Sequence, residues 1–215
     1  MGNVAVITAV LGGMDEPKPF PEQDFNGYDR FIVTGSSHGP ARVRARYFKL
    51  QSHKIFSGYD AFIWIDGNIQ IKTAQFIAEM IEALEDNDIA ISRHPERGCI
   101  YEEARFIAQG IETGSAYLCA RYDHREILDQ AEAYSQSFPA NAGLYWCGIF
   151  ARKASVKTNI FFDGWWAECH HWPRSIDQVP FPYLAQKMGL SIAVISWGAF
   201  NDNPTYRRVP HLKVQ

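Results

Sequence analysis

What the chain lacks narrows its identity first. Its 215 residues carry no excess of either charge, 21 Lys and Arg against 24 Asp and Glu for a formal net charge of −3. No global field therefore draws it onto nucleic acid or an anionic membrane, and any polyanion site has to be local. Cysteine is scarce and scattered. Cys99, Cys119, Cys147 and Cys169 stand singly, without the close pairs of a zinc site or the density of a secreted disulfide scaffold, which fits a reducing cytoplasm. Long apolar runs are missing too. The first, residues 4–11, falls far short of the roughly 20 residues of a membrane span and has no basic leader before it. The expectation is a cytoplasmic chain with no membrane span. Internal repeats, low-complexity tracts and linkers are also missing, so one domain over residues 1–215 is expected.

Aromatic side chains are plentiful, 14% of the chain with six Trp and ten Tyr, which suits either a Trp-rich core or the stacking of sugars and bases. Residues 4–11 read as a fully covered parallel strand that opens at Gly12 and Gly13 into a first ligand loop, with Thr8 and Ala9 near its mouth. Further strands are expected at 28–34 (closed by Gly35, Ser36 and Ser37), 61–71, 88–92, 142–151 and 191–196. Helices are expected at 42–56, after residue 71 on the spacing of Phe76, Ile77, Met80, Ile81 and Leu84, at 101–110, at 124–135, and at 177–188 before Gly189. This alternation is that of an α/β sandwich. The final basic stretch, with Arg207, Arg208, His211 and Lys213, reads as a tail or loop laid over something.

The sharpest chemical feature is the string YDAFIWIDGNIQI, residues 59–71, an apolar strand interrupted by Asp66, Gly67 and Asn68. A carboxylate between Ile65 and Gly67 is costly to bury unless something positive meets it. Hard cations such as Mg²⁺ or Mn²⁺ take oxygen ligands, often only one or two from the protein, with water and phosphate completing the shell. Asp66 and the Asn68 amide lie two apart, on one side of an extended chain, and Gly67 leaves room for a phosphate. An ordinary Asp-Gly-Asn turn would read the same way.

The segment 45–71 resembles a family of glycosyltransferase-like domains found in bacteria and in plant Golgi proteins connected with mucilage and pectin. Its signature is matched by Arg46, Lys49 and His53 ahead of Trp64, Ile65, Asp66 and Gly67. The resemblance includes the Gly-Gly-x-Asp turn at Gly12, Gly13, Met14 and Asp15, the segment ISRHPERGCIYEEA at 91–104 with His94 and Glu103, and WWAECHHWPRSIDQVPFPYL at 165–184. One departure stands out. The family places Arg directly before Asp-Gln, whereas this chain has Ile176 there and Arg174 two residues earlier.

The resemblance implies a single-domain GT-A fold, Rossmann-like, with a mixed central sheet flanked by helices. It also implies a nucleotide-diphosphate sugar as donor, with Asp66 and Asn68 filling an Asp-x-Asp-type metal motif in a weakened form. Donor contacts are then expected from Thr8, Ala9, Arg46, Lys49, Asp66, Gly67 and Asn68. The metal, Mn²⁺ or Mg²⁺, would take Asp66, Asn68 and a C-terminal His, for which His211 is the candidate; a solvated tail histidine is the rival reading. Arg42, Arg46, Lys49 and His53 share one helical face, fit either to meet a diphosphate or to face solvent.

Transfer at an anomeric carbon also calls for a carboxylate near the acceptor. Asp177, with Gln178 beside it, is the first candidate, and an N-cap is its structural alternative. Glu168 and Glu103 are the fallbacks. His94, Glu103, Trp165 and Trp166 are candidate sugar and acceptor contacts, the two Trp residues with Trp172 serving as a stacking wall or as core. His170 and His171 are not read as metal ligands, since adjacent side chains on an extended chain diverge. A binding domain without turnover and a nucleotide-sugar hydrolase are the competing functions. The acceptor is open among a glycan, a small molecule and a modified DNA base, the near-neutral charge weighing against DNA.

Overall fold

The computed structural model describes residues 2–13, 15–20, 27–35, 39–73 and 75–211; Met14, Ser36, Ser37 and Lys213 lie outside the described residues. A six-stranded sheet forms the centre, in the order β2-β1-β3-β6-β5-β7. Its strands are β1 (Val4–Leu11), β2 (Tyr28–Gly35), β3 (Ala61–Ile65), β5 (Ile89–Arg93), β6 (Tyr145–Lys153) and β7 (Ile192–Val194). Only β6 runs against its neighbours β3 and β5; the other pairs are parallel.

β1 is buried at every position because both faces of the sheet are covered. Its odd residues, Ala5, Ile7, Ala9 and Leu11, enter one core, while Val4 and Val6 enter the other. The first core is closed by α1 (Ala41–Leu50), α7 (Val156–His171) and α8 (Pro180–Lys187), through Leu50, Phe161, Phe162, Trp165, Phe181 and Leu184. On the second face lies α3 (Gln75–Glu82), whose Phe76, Ile77 and Met80 repeat at helical spacing. Beyond one end of the sheet, α4 (Ile100–Glu112), α5 (Ala116–Arg121) and α6 (His124–Ser135) form a side bundle with its own small core of Ala104, Ile107, Ile127 and Ala131.

Three expectations are corrected here. The strand expected over 61–71 is two strands: β3 ends at Ile65, and β4 (Ile69–Ile71) joins β8 (Tyr206–Arg208) in a separate two-stranded sheet. The break falls at Asp66, Gly67 and Asn68, so the polar triplet turns the chain out of the central sheet. The helix expected from Asp177 begins three residues later, at Pro180, whose fixed φ suits the first helical turn. The segment around His170 and His171 is the C-terminal turn of α7, not extended chain.

A parity change within β6 shapes the site. Register with β5 jumps from Ile91↔Phe150 to Ser92↔Trp146, a bulge centred on Gly148. A Cβ at Gly148 would lie 2.6 Å from the Trp146 ring, so the bulge has room only for glycine. Such bulges re-aim side chains. Here Trp146 packs on the second face and Cys147 on the first.

One buried cation makes the fold pH-sensitive. Arg152 is fully enclosed, its guanidinium stacked between Phe62 and Phe162 at 4.5 and 4.3 Å from the ring centres, and burial pushes its pKa down to about 9. It donates to Ser52 Oγ and Asn159 Oδ1, both at 2.9 Å, and to His53 Nδ1 at 3.1 Å. His53 Nε2 in turn donates to Asp163 at 3.2 Å. His53 thus serves the core from a separate short helix, α2 (Ser52–Ile55), and not from α1, with whose basic residues it was expected to share a face. Burial, and then Arg152, hold its pKa below the usual imidazole value. Because the folded pKa is depressed, this contribution to stability is fully present above the unfolded value of about 6.5, declines below it and is lost as pH falls through the lower folded value. Urea unfolding at pH 7.5 and 5.5 should show a drop that His53→Gln reduces; an unchanged drop in the variant would contradict the arrangement.

Candidate functional site

In parallel sheets ligands collect beyond the carboxyl ends of strands, where the strand order reverses. Here β1 lies between β2 and β3, and a cavity of about 410 Å³ opens beyond their carboxyl ends, lined by Ala9 and Leu11 from β1 and by Trp64, Asp66, Gly67 and Asn68. The antiparallel β6 adds Trp146, Cys147 and Gly148 from its first half. The bundle α4–α5 forms the opposite wall.

Asp66 is set by its surroundings. Its backbone N–H donates to Gly148 O at 2.8 Å, and its Oδ1 accepts Trp64 Nε1 at 2.7 Å. Burial raises the pKa of its carboxyl, and the nearby Lys49 opposes that rise. The following turn is tied down by Val209 N donating to Asn68 O at 2.7 Å. Gly67 also has a packing reason, for a Cβ there would come within 3.1 Å of Ala9 O. Gly67→Ala should therefore lower the melting temperature by several degrees, about 1 kcal/mol or more of strain; an unchanged melting curve would show that β1 can yield.

Across the cavity, Lys49 and Asp177 form an ion pair at 2.7 Å, with side chains only 7% and 19% exposed. Asp177 loses solvation on burial, but Lys49, Arg46 and Arg42 more than compensate and hold its carboxyl far below the usual range. Arg42 and Arg46 both donate to Ser175 O, at 2.7 and 3.2 Å, and Arg42 also donates to Arg121 O. The basic face of α1 is therefore turned inward, with Arg46 and Lys49 buried. Asp177 is no cap: α8 follows Val179 without a side-chain cap, and Trp165 Nε1 pins the Asp177 carbonyl at 2.8 Å.

On the far wall Glu103 accepts from Arg97 Nε and, at 3.4 Å, from Gln178 Nε2; burial raises its pKa and Arg97 opposes it. His94 Nδ1 accepts the N–H groups of Arg97 and Glu96 at 3.1 and 3.3 Å, so its proton resides on Nε2. Burial, then Arg97, push its pKa down to about 4, which leaves a neutral donor at the cavity. The C-terminal stretch closes the remaining side: β8 pairs with β4, and Arg208 and His211 line the cavity. His211 Nδ1 lies 3.0 and 2.9 Å from the two oxygens of Asp15.

The candidates thus divide. Ala9, Arg46, Lys49, Asp66, Gly67, Asn68, His94, Glu103, Asp177, Gln178 and His211 converge on one cavity. Four do not line it. Thr8 is buried in β1 with its side chain pointing away from Ala9. Trp165 is 0% exposed, a core residue with no face for a ligand. Trp166, one position on around the helix, packs edge-on against Tyr47 at 5.3 Å and lies outside the lining. Glu168, half-buried on α7, accepts Tyr134 OH at 2.7 Å. Replacing Trp165 with alanine should cost about 3–5 kcal/mol of stability; a loss under 1 kcal/mol in chemical unfolding would contradict its core role. Arg174 donates to Tyr122 O at 3.3 Å and does not line the cavity, so it does not supply the guanidinium that Ile176 displaces. Sequence reasoning gave no site role to Arg97, in the matched segment 91–104, or to Arg208, in the basic C-terminal stretch, and it missed Phe106 and Tyr117; all four line the cavity.

Among the described residues no cluster of three or more His, Cys, Asp and Glu is grouped as a metal site. At the turn that enters the cavity, a cation would find the Asp66 carboxylate and the Asn68 amide, which makes no side-chain hydrogen bond among the described residues, with the His211 imidazole lining the same cavity. That donor set fits a hard cation taking its remaining ligands from a diphosphate and water.

The model of the family described as TOD1/MUCI70, glycosyltransferase-like domain, matches residues 22–208. No curated protein matches. Among solved structures, a glycosyltransferase involved in glycosylation of the major capsid of PBCV-1 is similar at 9% identity, with a TM-score of 0.50 over 97% of this chain and 93% of the other. Mouse xyloside xylosyltransferase 1 (12% identity, TM-score 0.44, 78% of this chain) and A197 from STIV (10%, 0.42, 97% of this chain and 94% of that one) are more distant in shape. The chain spans 63% of the mouse structure's chain. The fold, a six-stranded mixed sheet flanked by helices, is GT-A-like. No helix among the described residues is long and apolar enough to cross a membrane.

Proposed function

The chain belongs to the TOD1/MUCI70 family of glycosyltransferase-like domains, and from that premise we propose that it moves a sugar from a nucleotide-diphosphate sugar to a hydroxyl acceptor, aided by Mn²⁺ or Mg²⁺ at Asp66. The observation that carries this reading is the convergence of Asp66, Asn68 and His211 with the inward-facing Arg46 and Lys49 in one cavity at the carboxyl ends of β1 and β3. When bound, the divalent metal supplies neutralisation of the leaving diphosphate.

The chain's own residues do the rest. Trp64 holds the Asp66 carboxylate in place, and Gly148 holds its backbone. Lys49 and Arg46 bring fixed positive charge to the cavity wall from side chains that are themselves buried, where it acts more strongly on a phosphate than at an exposed surface. Asp177, kept ionised by these cations, is a poor proton acceptor but a firm hydrogen-bond acceptor, suited to orienting sugar hydroxyls. Its anchor is double: the ion pair fixes the side chain, and Trp165 fixes the main chain. Glu103, with its raised pKa, is the better-matched carboxylate for taking a proton, and Gln178 joins it to Asp177. His94 offers a neutral N–H on the same side.

The presence of Asn68 where a second carboxylate is commoner supports one rival, a domain that grips a nucleotide sugar without turnover. A thermal-shift screen of UDP- and GDP-sugars with and without Mn²⁺ tests the donor reading, because ligand binding raises stability by mass action. A metal-dependent rise with at least one donor is expected. No rise with any donor would overturn the reading.

A further inference from the structure

Resting on that reading, we propose that Asp15 is a positioning residue: its carboxylate fixes the imidazole of His211 so that Nε2 is presented to a divalent cation shared with Asp66. A carboxylate only accepts, so with both Asp15 oxygens about 3 Å from Nδ1 (3.0 and 2.9 Å) the ring proton belongs on Nδ1. In that tautomer the lone pair is on Nε2, the arrangement in which a carboxylate behind a histidine sets both tautomer and orientation for a metal.

Two other features converge on the same geometry. The C-terminal strap is held in position by β8 against β4 and by Val209 N donating to Asn68 O at 2.7 Å, so the backbone sets where the ring lies and Asp15 sets how it turns. Asp15 also lies against the Asp66–Asn68 turn: a Cβ on Gly67 would be 3.5 Å from Asp15 Oδ2. Residues 196 positions apart in sequence thereby meet beside Asp66, both lining the cavity, with side chains only 10% and 24% exposed.

The alternative is an ion pair that merely ties the two ends of the chain together. Mn²⁺ titration of the whole chain, with free ion read by electron paramagnetic resonance, separates the two. Asp15→Ala should weaken Mn²⁺ binding about 10- to 100-fold. Asp15→Asn keeps an acceptor oxygen for Nδ1–H and should weaken it less. In a His211→Ala background Asp15→Ala should have no further effect, since the two act as one unit. A purely structural tie would lower the melting temperature while leaving Mn²⁺ affinity alone. Wild-type affinity in Asp15→Ala, or an equal loss with and without His211, overturns the proposal. Failure of the wild-type chain to take up Mn²⁺ overturns the metal reading itself, and this inference with it.

Discussion

Asp66→Ala should abolish metal-dependent donor binding and lower turnover more than about 10²-fold, the several kcal/mol of charge stabilisation that a metal gives a leaving diphosphate. The fold should survive. The main-chain path at residue 66 is held by its N–H to Gly148 O, and the side chain supports only the Trp64 indole. Leaving that indole without an acceptor costs about 1–3 kcal/mol, partly offset because a buried carboxylate with a raised pKa is itself a burden. Asn68→Asp is the complementary change, restoring a second carboxylate, and should hold or strengthen Mn²⁺ binding. An Mn²⁺-dependent thermal shift that persists in Asp66→Ala would contradict the assignment; weaker binding in Asn68→Asp would mean that Asn68 touches nucleotide or sugar instead.

The second large effect is at Asp177 and Lys49. Were Asp177 a helix cap, Asp177→Asn would spare stability and isolate chemistry. It is instead the partner of a buried ammonium. Breaking such a pair from one side typically costs about 3–5 kcal/mol, because the remaining charge is stranded. Asp177→Asn and Lys49→Met should each lower stability by that order and reduce turnover about 10²-fold or more. The double variant Lys49→Met/Asp177→Asn should regain much of the stability, since neither charge is left alone, yet stay inactive. Recovery of activity along with stability would show that the pair serves only the fold. A single Asp177→Asn variant with normal stability and turnover would remove Asp177 from both roles.

How much of this was legible in the sequence depends on the reach of the signal. β1 shows as an unbroken apolar run because both faces are covered, and α6 spans the expected residues because Asp123 caps it, accepting from the backbone N–H groups of Arg125 and Glu126. The longest helix, α7, was not anticipated. It is apolar on most sides, with Gly164 in its middle, so no 3.6-residue stripe stands out. Its capping box uses Thr158 where Glu or Gln is the usual partner, and the start signal is correspondingly faint. Missing that helix also misplaced the Trp wall: on a helix Trp165 and Trp166 are turned about 100° apart, one into the core and the other outward. The family signature located Arg46, Lys49, Asp66, His94, Glu103 and Asp177, and the structure brings all six to one cavity. Their pairings were out of reach, since Lys49 meets Asp177 across 128 residues and His211 meets Asp15 across 196. His53 belongs to the same signature but serves the buried Arg152, a demand that no local pattern announces.

The central claim is transfer from a nucleotide-diphosphate sugar, and release of free nucleoside diphosphate tests it most directly. The wild-type chain is incubated with a panel of UDP- and GDP-sugars and Mn²⁺, with and without candidate glycan and small-molecule acceptors. The account predicts release from one donor class that rises when the right acceptor is present and disappears with EDTA or in Asp66→Ala. Binding without release from any donor would leave a sugar-nucleotide-binding domain in place of an enzyme, and release that no acceptor increases would make it a hydrolase; either result would contradict the account.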